Sequence, residues 1–282
     1  MNTITEIDVK ESFGTIDVGG QTMYYKEVGT GDKLILAFHG YGNDSSLYRF
    51  LKHQDFTVIS FDLPFQGKSV GTKDTPVTKE NLYKLVRHFL KEKGVRKVSL
   101  VGFSLGARIC LCIAENMPEH ISNMILIAPD GIVHNRFYHF VTKTSLGNTL
   151  FRNFVRKGEG YLRLFSFMNK VKLLSNSKFK FASQYIETEK LRTLLYDIWM
   201  TTSPLVPDLK KVDQNIKKRK MPVHLYVGKK DKIIPYKNAL KFKGKSEQIK
   251  LHLFERGHNL LFFDEVRGIV KAWLFRTYSS SK

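Results

Sequence analysis

Two kinds of apolar pattern alternate along this chain. Lys33–Phe38, Phe56–Phe61, Val98–Val101, Ile121–Ala128 and Val223–Val227 are nearly continuous apolar runs. Such runs suit strands covered on both faces. Gln248–Phe254 reads as the last strand. Between the runs lie stretches with helical spacing: a helix capped within Asn43-Asp44-Ser45 and running to about His53, Thr78–Lys93, Ala107–Ala114, Tyr236–Phe242 and Leu260–Phe275. Thr78 is placed to cap its helix and Gly94 to end it. Ser12–Val18 and Thr22–Val28 read as two short strands joined through a Gly19-Gly20 hairpin turn. Strands separated by helices predict an α/β fold with a mostly parallel central sheet and helices on both faces.

The rhythm breaks between Gly131 and about Lys220. Phe137, Tyr138, Phe140, Phe151, Phe154, Tyr161, Leu164, Phe165, Phe167 and Met168 recur at helical spacing, and Tyr185–Met200 is a further helical segment. Pro204 and Pro207 interrupt the chain just after that segment. The expected organisation is a core made of residues 1–130 and 221–282, with residues 131–220 inserted over it as a helical cap. The aromatics of the cap are read first as packing residues, because an amphipathic helix must bury one face.

Charge adds one feature to this picture. The net charge is +20, and the insertion holds 18 Lys and Arg against 6 Asp and Glu, a net of +12. A basic surface favours anionic neighbours. For nucleic acid, charge is the only signal: Lys217-Lys218-Arg219-Lys220 matches no recognition module and lies just before a strand, as a solvated connector would. No nucleic-acid partner is therefore expected. Cys110 and Cys112 sit two apart on one helix, as packing residues, and no metal-ligand spacing occurs among the nine histidines. No G-x-G-x-x-G opens a helix after the first strand, which argues against a dinucleotide cofactor. The stretch MNTITEIDVKESF has no long apolar core and no run is long enough to span a membrane, so the cytoplasm is the expected compartment.

Candidate chemistry gathers at the strand ends. His39, Asp62, Ser104, Asp130 and Asp231 all fall at the ends of predicted strands. In open α/β sheets that edge is where ligands bind. Gly102-Phe103-Ser104-Leu105-Gly106 joins a strand directly to a helix, the setting of a nucleophile elbow. Its glycines suit a turn in which backbones approach too closely for a Cβ.

With these motifs the chain resembles the α/β-hydrolase fold enzymes, in the serine hydrolase branch with an early His-Gly loop and a helical cap. The resemblance covers nearly the whole chain outside the insertion. It implies Ser104 as nucleophile. It implies Asp231 as the acid, within the G-x-x-D-x-x-x-P of Gly228–Pro235, and His258 as the base after the last strand. The order Ser, Asp, His is that of the fold. His39-Gly40-Tyr41-Gly42 resembles the loop that supplies one oxyanion donor, the Tyr41 amide; the Leu105 amide would be the second. Asp62–Ser69 resembles the family's D-x-x-x-x-G-x-S loop, but Gln66 stands where a histidine often precedes the glycine. Asp130 competes for the role of the acid, because some members of the fold carry it after the sixth strand. Its Pro-Asp-Gly setting is also a good turn on its own.

Chemistry supports the same roles. A serine hydroxyl attacks once a base takes its proton, a histidine can take and return that proton, and a carboxylate orients the imidazole. The expected function is cleavage of a carboxylic ester or related acyl substrate through an acyl-enzyme, with no cofactor and no metal. A carbon–carbon bond hydrolase or an acyl thioesterase on the same triad, and a non-catalytic binding protein on the same fold, are the alternatives. The partner expected is a small acyl compound, and the basic cap leaves room for an anionic one such as a coenzyme A thioester.

Overall fold

The computed structural model describes residues 10–158, 160 and 187–279. Eight strands form one sheet: β1 (Glu11–Asp17), β2 (Thr22–Val28), β3 (Lys33–Phe38), β4 (Phe56–Phe61), β5 (Val98–Phe103), β6 (Ile121–Ile127), β7 (Val223–Gly228) and β8 (Ile249–Phe254). Their spatial order is β1-β2-β4-β3-β5-β6-β7-β8. β1 and β2 are antiparallel, as are β2 and β4, and the remaining pairs are parallel. This is the mostly parallel α/β sheet that the alternation of strands and helices predicts, in the strand arrangement that the resemblance implies.

The continuous apolar runs are explained by packing on both faces. In β3, Leu34, Leu36 and Phe38 face one core, while Ile35 and Ala37 face the other. The first core is closed by helices α1 (Lys79–Glu92) and α2 (Leu105–Asn116). The second is closed by a 3₁₀ turn at Ser45–Leu51 and by the C-terminal helix, whose Val266, Val270 and Leu274 are buried. Cys110 and Cys112 lie inside the first core, and burial pushes the Cys112 thiol up to about 12, so both are packing residues.

Local capping agrees with the sequence. Thr78 and Asn81 exchange hydrogen bonds as a capping box on α1. Asp44 caps the turn after β3 through the Ser46 amide at 2.8 Å, but the segment closes as a 3₁₀ helix rather than an α-helix. The expected helix Leu260–Phe275 is also divided. Leu260–Phe262 forms a 3₁₀ turn, Phe263 is extended, and the final helix starts at Asp264 and runs to Ser279. The break buries Leu260 and Leu261 under the sheet while the helix sets out in its own direction.

In the insertion, helices α3 (Arg136–Lys143), α4 (Ser145–Arg156) and α5 (Glu189–Thr201) are capped by Asn135, Thr144 and Thr188. They pack through a small cluster of Val141, Phe151 and Val155 with Trp199 against it. The residues at helical spacing Tyr161, Leu164, Phe165, Phe167 and Met168, and the start of the segment at Tyr185, lie outside the described residues. Helix α6 (Leu209–Lys218) falls within the range expected for the cap but packs on α2, with Val212 and Ile216 in the first core. The chain has thus rejoined the sheet layer before β7. Two helices complete the order: α7 (Tyr236–Lys243) and α8 (Asp264–Ser279).

Candidate active site

Ser104 sits at the junction of β5 and α2 with φ +50° and ψ −113°. A non-glycine residue rarely adopts a positive φ, and here the surroundings enforce it. The Ser104 amide donates to the Ile127 carbonyl at 2.9 Å, and its carbonyl accepts from Ala107 and Asp130. A Cβ on Gly106 would lie 1.8 Å from the Phe38 carbonyl oxygen, and one on Gly102 would lie 2.6 Å from the Ala107 backbone. Only glycine permits that crossing of strand and helix.

The Ser104 hydroxyl lies 3.0 Å from His258 Nε2, and His258 Nδ1 lies 2.8 Å from Asp231 Oδ2. An ionised carboxylate only accepts, so Nδ1 carries the proton and Nε2 is left to accept from the hydroxyl. The other Asp231 oxygen accepts from the Ile233 and Ile234 amides at 2.8 and 2.9 Å. The carboxylate is buried, whereas the imidazole keeps a partly exposed edge. The loops carrying acid and base are pressed together at Gly228, where a Cβ would fall 2.3 Å from the Arg256 carbonyl oxygen.

The other strand-end residues take structural parts. His39 is buried; its Nε2 accepts from the Leu63 amide at 2.9 Å and its Nδ1 faces the Gly40 carbonyl at 2.6 Å. Burial lowers its pKa, so a neutral ring ties the exit of β3 to the exit of β4. Asp62 accepts from the Ser45 and Lys68 amides and folds its own loop. Gln66, the departure from the family pattern, accepts the Gly42 amide at 2.7 Å and so braces the His-Gly loop.

Asp130 does not reach the histidine. Its carboxylate is paired with Arg108, and its second oxygen accepts from the Gly131 amide at 2.7 Å. Burial opposes the charge on Arg108, but the adjacent Asp130 outweighs it and holds the guanidinium above its ordinary pKa. Arg108 also lies 4.4 Å over the ring of Tyr138 on α3. Sequence reasoning passed over Arg108. Its signal was a lone cation in the apolar stretch Leu105–Ala114, one helical turn beyond Ser104.

A cavity of about 770 Å³ opens above Ser104 and His258. Tyr41 and Leu105 line it beside Gly40, where an added Cβ would lie 3.0 Å from Ser104 Cβ. Leu105 is the first residue of α2, where amides have no partner within the helix and the dipole is positive. The walls and roof are Phe140, Val141, Phe151, Leu195 and Trp199 from α3, α4 and α5, with Phe262 near the base. The described basic residues of the insertion are exposed, apart from Arg192, which bonds the Val155 carbonyl. Among the described residues no three histidines, cysteines or carboxylates gather as a metal site would require, and no helix is long and apolar enough to cross a membrane.

Comparison with known proteins agrees with this architecture. A family model described as the alpha/beta hydrolase fold matches residues 33–265. The chain is 33% identical to a monoglyceride lipase of Rattus norvegicus over 114 residues, 38% of this chain and 38% of that protein. It is 26% identical to a pimeloyl-[acyl-carrier protein] methyl ester esterase of Pseudoalteromonas atlantica over 231 residues, 77% of this chain and 82% of that one. Against several curated relatives, the rat lipase among them, the chain spans less than half of their length. A thermophilic esterase from Thermogutta terrifontis superposes with a TM-score of 0.64 at 18% identity, covering 96% of this chain and 99% of that structure, a likeness of fold.

Proposed function

This chain belongs to the α/β-hydrolase fold family, and on that premise we propose that it is a serine hydrolase of carboxylic esters with an apolar acyl group. The reading rests on one observation above the rest. The hydroxyl of a conformationally constrained Ser104 lies 3.0 Å from a histidine whose other nitrogen lies 2.8 Å from a buried carboxylate.

In the proposed cycle, Ser104 Oγ attacks the ester carbonyl carbon as His258 Nε2 takes its proton. The carbonyl oxygen becomes an oxyanion held by the Leu105 and Tyr41 amides at the positive end of α2. Asp231 steadies the imidazolium and keeps Nδ1 protonated. The C–O bond to the alcohol breaks, His258 returns the proton to that oxygen, and the acyl group stays on Ser104. Water then repeats the sequence: His258 takes its proton, its oxygen adds to the acyl carbon, and collapse releases the acid and restores Ser104. The Asp231 oxygen shared by the Ile233 and Ile234 amides holds the carboxylate in place against the imidazole.

The apolar roof supports the substrate class. A cavity of this size takes a drug-sized or medium-chain group, and the charged groups in its lining, Arg108 and Asp130, are paired with each other. Relatives named as a lipase and a methyl ester esterase are in keeping with ester chemistry.

The test is labelling with a fluorophosphonate alongside turnover of esters and thioesters of graded chain length. Ser104 should be the modified residue. Ser104→Ala should abolish labelling and lower kcat by about 10⁴-fold or more. Adduct formation on a different serine, or turnover that survives the substitution, would overturn the assignment.

A further inference from the structure

The cavity above Ser104 is mostly apolar; apart from the Ser104–His258 site its polar lining is Asn43, Asn135, Thr202 and Asn259, the hydroxyls of Tyr41 and Tyr138, and one charged pair. Arg108 and Asp130 line it together, and they are the only Asp, Glu, Lys or Arg among its described lining residues. The Arg108 side chain is 9% exposed and that of Asp130 28%. Arg108 Nη2 holds Asp130 Oδ2, but Nη1 is buried with no hydrogen-bond acceptor among the described residues. The neighbouring hydroxyls donate their protons elsewhere, and Tyr138 lies against the guanidinium. Tyr138 donates to the Trp199 carbonyl at 3.2 Å, and Thr202 donates to the Ile198 carbonyl at 2.7 Å. Beside the pair lies a side cavity of about 70 Å³, room for a few water-sized groups. Arg108, Asp130, Asn135 and Tyr138 border both spaces.

A buried ion pair is a poor device for stability, since apolar residues of similar volume often serve as well. This one also leaves a donor unsatisfied, which adds to its cost. Those costs fall when a ligand supplies the missing acceptor. The pair as a whole is neutral, and the Asp130 side chain, 28% exposed, borders the cavity with a lone pair left on each oxygen beside the guanidinium. A carboxylate on the ligand would face Asp130, and an ammonium would face Arg108. A hydroxyl satisfies both sides, donating to the carboxylate while accepting from the guanidinium.

We propose that Arg108 and Asp130 form a polar subsite for a neutral hydroxyl on the ester substrate, seated at the junction of the main and side cavities. The proposal rests on the ester-hydrolase reading of Ser104, and it gives the apolar pocket one fixed point by which to set substrate orientation. The hydroxyl belongs to the acyl chain or to the alcohol portion, and the two sources are separable by experiment.

The experiment compares kcat/KM for matched esters. One set keeps the alcohol and adds a hydroxyl at graded positions of the acyl chain. The other keeps the acyl chain and replaces propanol with propane-1,2-diol or glycerol. A third set carries a carboxylate or an ammonium at the favoured position. Turnover of the unsubstituted ester reports the ester-hydrolase reading by itself, and its failure is visible there. The wild-type enzyme should favour the hydroxylated member of one set by about 10- to 100-fold, as expected of a hydrogen bond to charged groups. The charged analogues should gain nothing over the unsubstituted ester. Asp130→Asn should bring the hydroxyl preference close to one. Because that change strands the Arg108 charge, the double variant Arg108→Met with Asp130→Asn provides a second reading of the same ratio. Equal rates for hydroxylated and plain esters in both sets, a preference for the carboxylate analogue, or a ratio untouched in the double variant would each overturn the subsite.

Discussion

Asp231 divides its carboxylate between two tasks: one oxygen meets His258 Nδ1 at 2.8 Å, and the other takes the amides of Ile233 and Ile234. Asp130 has the same chance by position, at the end of the adjacent strand β6, and spends its carboxylate on Arg108 instead. The two acids are therefore separable by isosteric substitution. Asp231→Asn should lower kcat on a plain ester by about 10⁴-fold, the effect of the wrong imidazole tautomer in serine proteases. Asp130→Asn should cost no more than about tenfold on the same ester. Steady-state kinetics on both variants decides, and the reverse order of losses would move the acid to Asp130.

The elbow tolerates no side chain at Gly106. A methyl group there would meet the Phe38 carbonyl oxygen at 1.8 Å, so α2 must move away from β3. Gly106→Ala should lower stability by about 1–3 kcal/mol or more, as overpacking does. It should also lower kcat more than it raises KM, because the displaced helix carries Leu105. Thermal unfolding and kinetics on the same preparation test both halves; a variant with wild-type Tm and kcat would contradict this account of the turn.

The cavity roof should set chain length. Leu195 on α5 lines the cavity, and Leu195→Trp would fill part of it. Long acyl esters should then lose tenfold or more in kcat/KM while the shortest change little, since each methylene in an apolar pocket is worth about 1–3 kcal/mol. A uniform loss across chain lengths would place the acyl group elsewhere.

A pair of histidines away from the site should govern acid stability. His224 on β7 is buried, lies 2.9 Å from His252 on β8 and packs 3.7 Å from the Trp273 ring. Burial first, then His252 and Lys250, depress its pKa to about 3. Below about pH 6.5 the unfolded chain takes up a proton that the folded chain refuses, so stability falls as the pH drops. The slope is about 1.4 kcal/mol per pH unit for one proton and continues down to the folded pKa. His224→Phe should remove much of this loss between pH 6 and pH 4. Chemical denaturation at several pH values measures it, and parallel curves for both proteins would rule out His224 as the source.

Much of the fold is local enough to read from the chain. The two-sided apolar runs of β3, β4 and β5 reflect burial on both faces, and Thr78 and Gly94 mark the ends of α1 by their own capping chemistry. Ser104 and its glycines are also legible, because a strand-to-helix crossing limits which residues fit at each step. The end of the chain was less so. Helical spacing continues through Leu260–Phe275, and only the need to bury Leu260 and Leu261 against the second core divides it at Phe263.

The residues by themselves determined the order of strands and helices, the elbow, and which side chains stand at strand ends, since these depend on neighbours close in sequence. They favoured Asp231 through its Gly228 and Pro235 setting and left Asp130 as its rival, because both come after a strand. Tertiary structure decided between their contacts. Arg108, 22 residues before Asp130, supplies a cation that holds one carboxylate, while the loop after β8 carries His258 to the other across 27 residues. It likewise gave Arg108 and His39 their surroundings, returned Leu209–Lys218 to the core and set α3, α4 and α5 above Ser104. A hydrogen bond or a buried charge is defined by what lies within a few ångströms, and those neighbours come from distant parts of the chain.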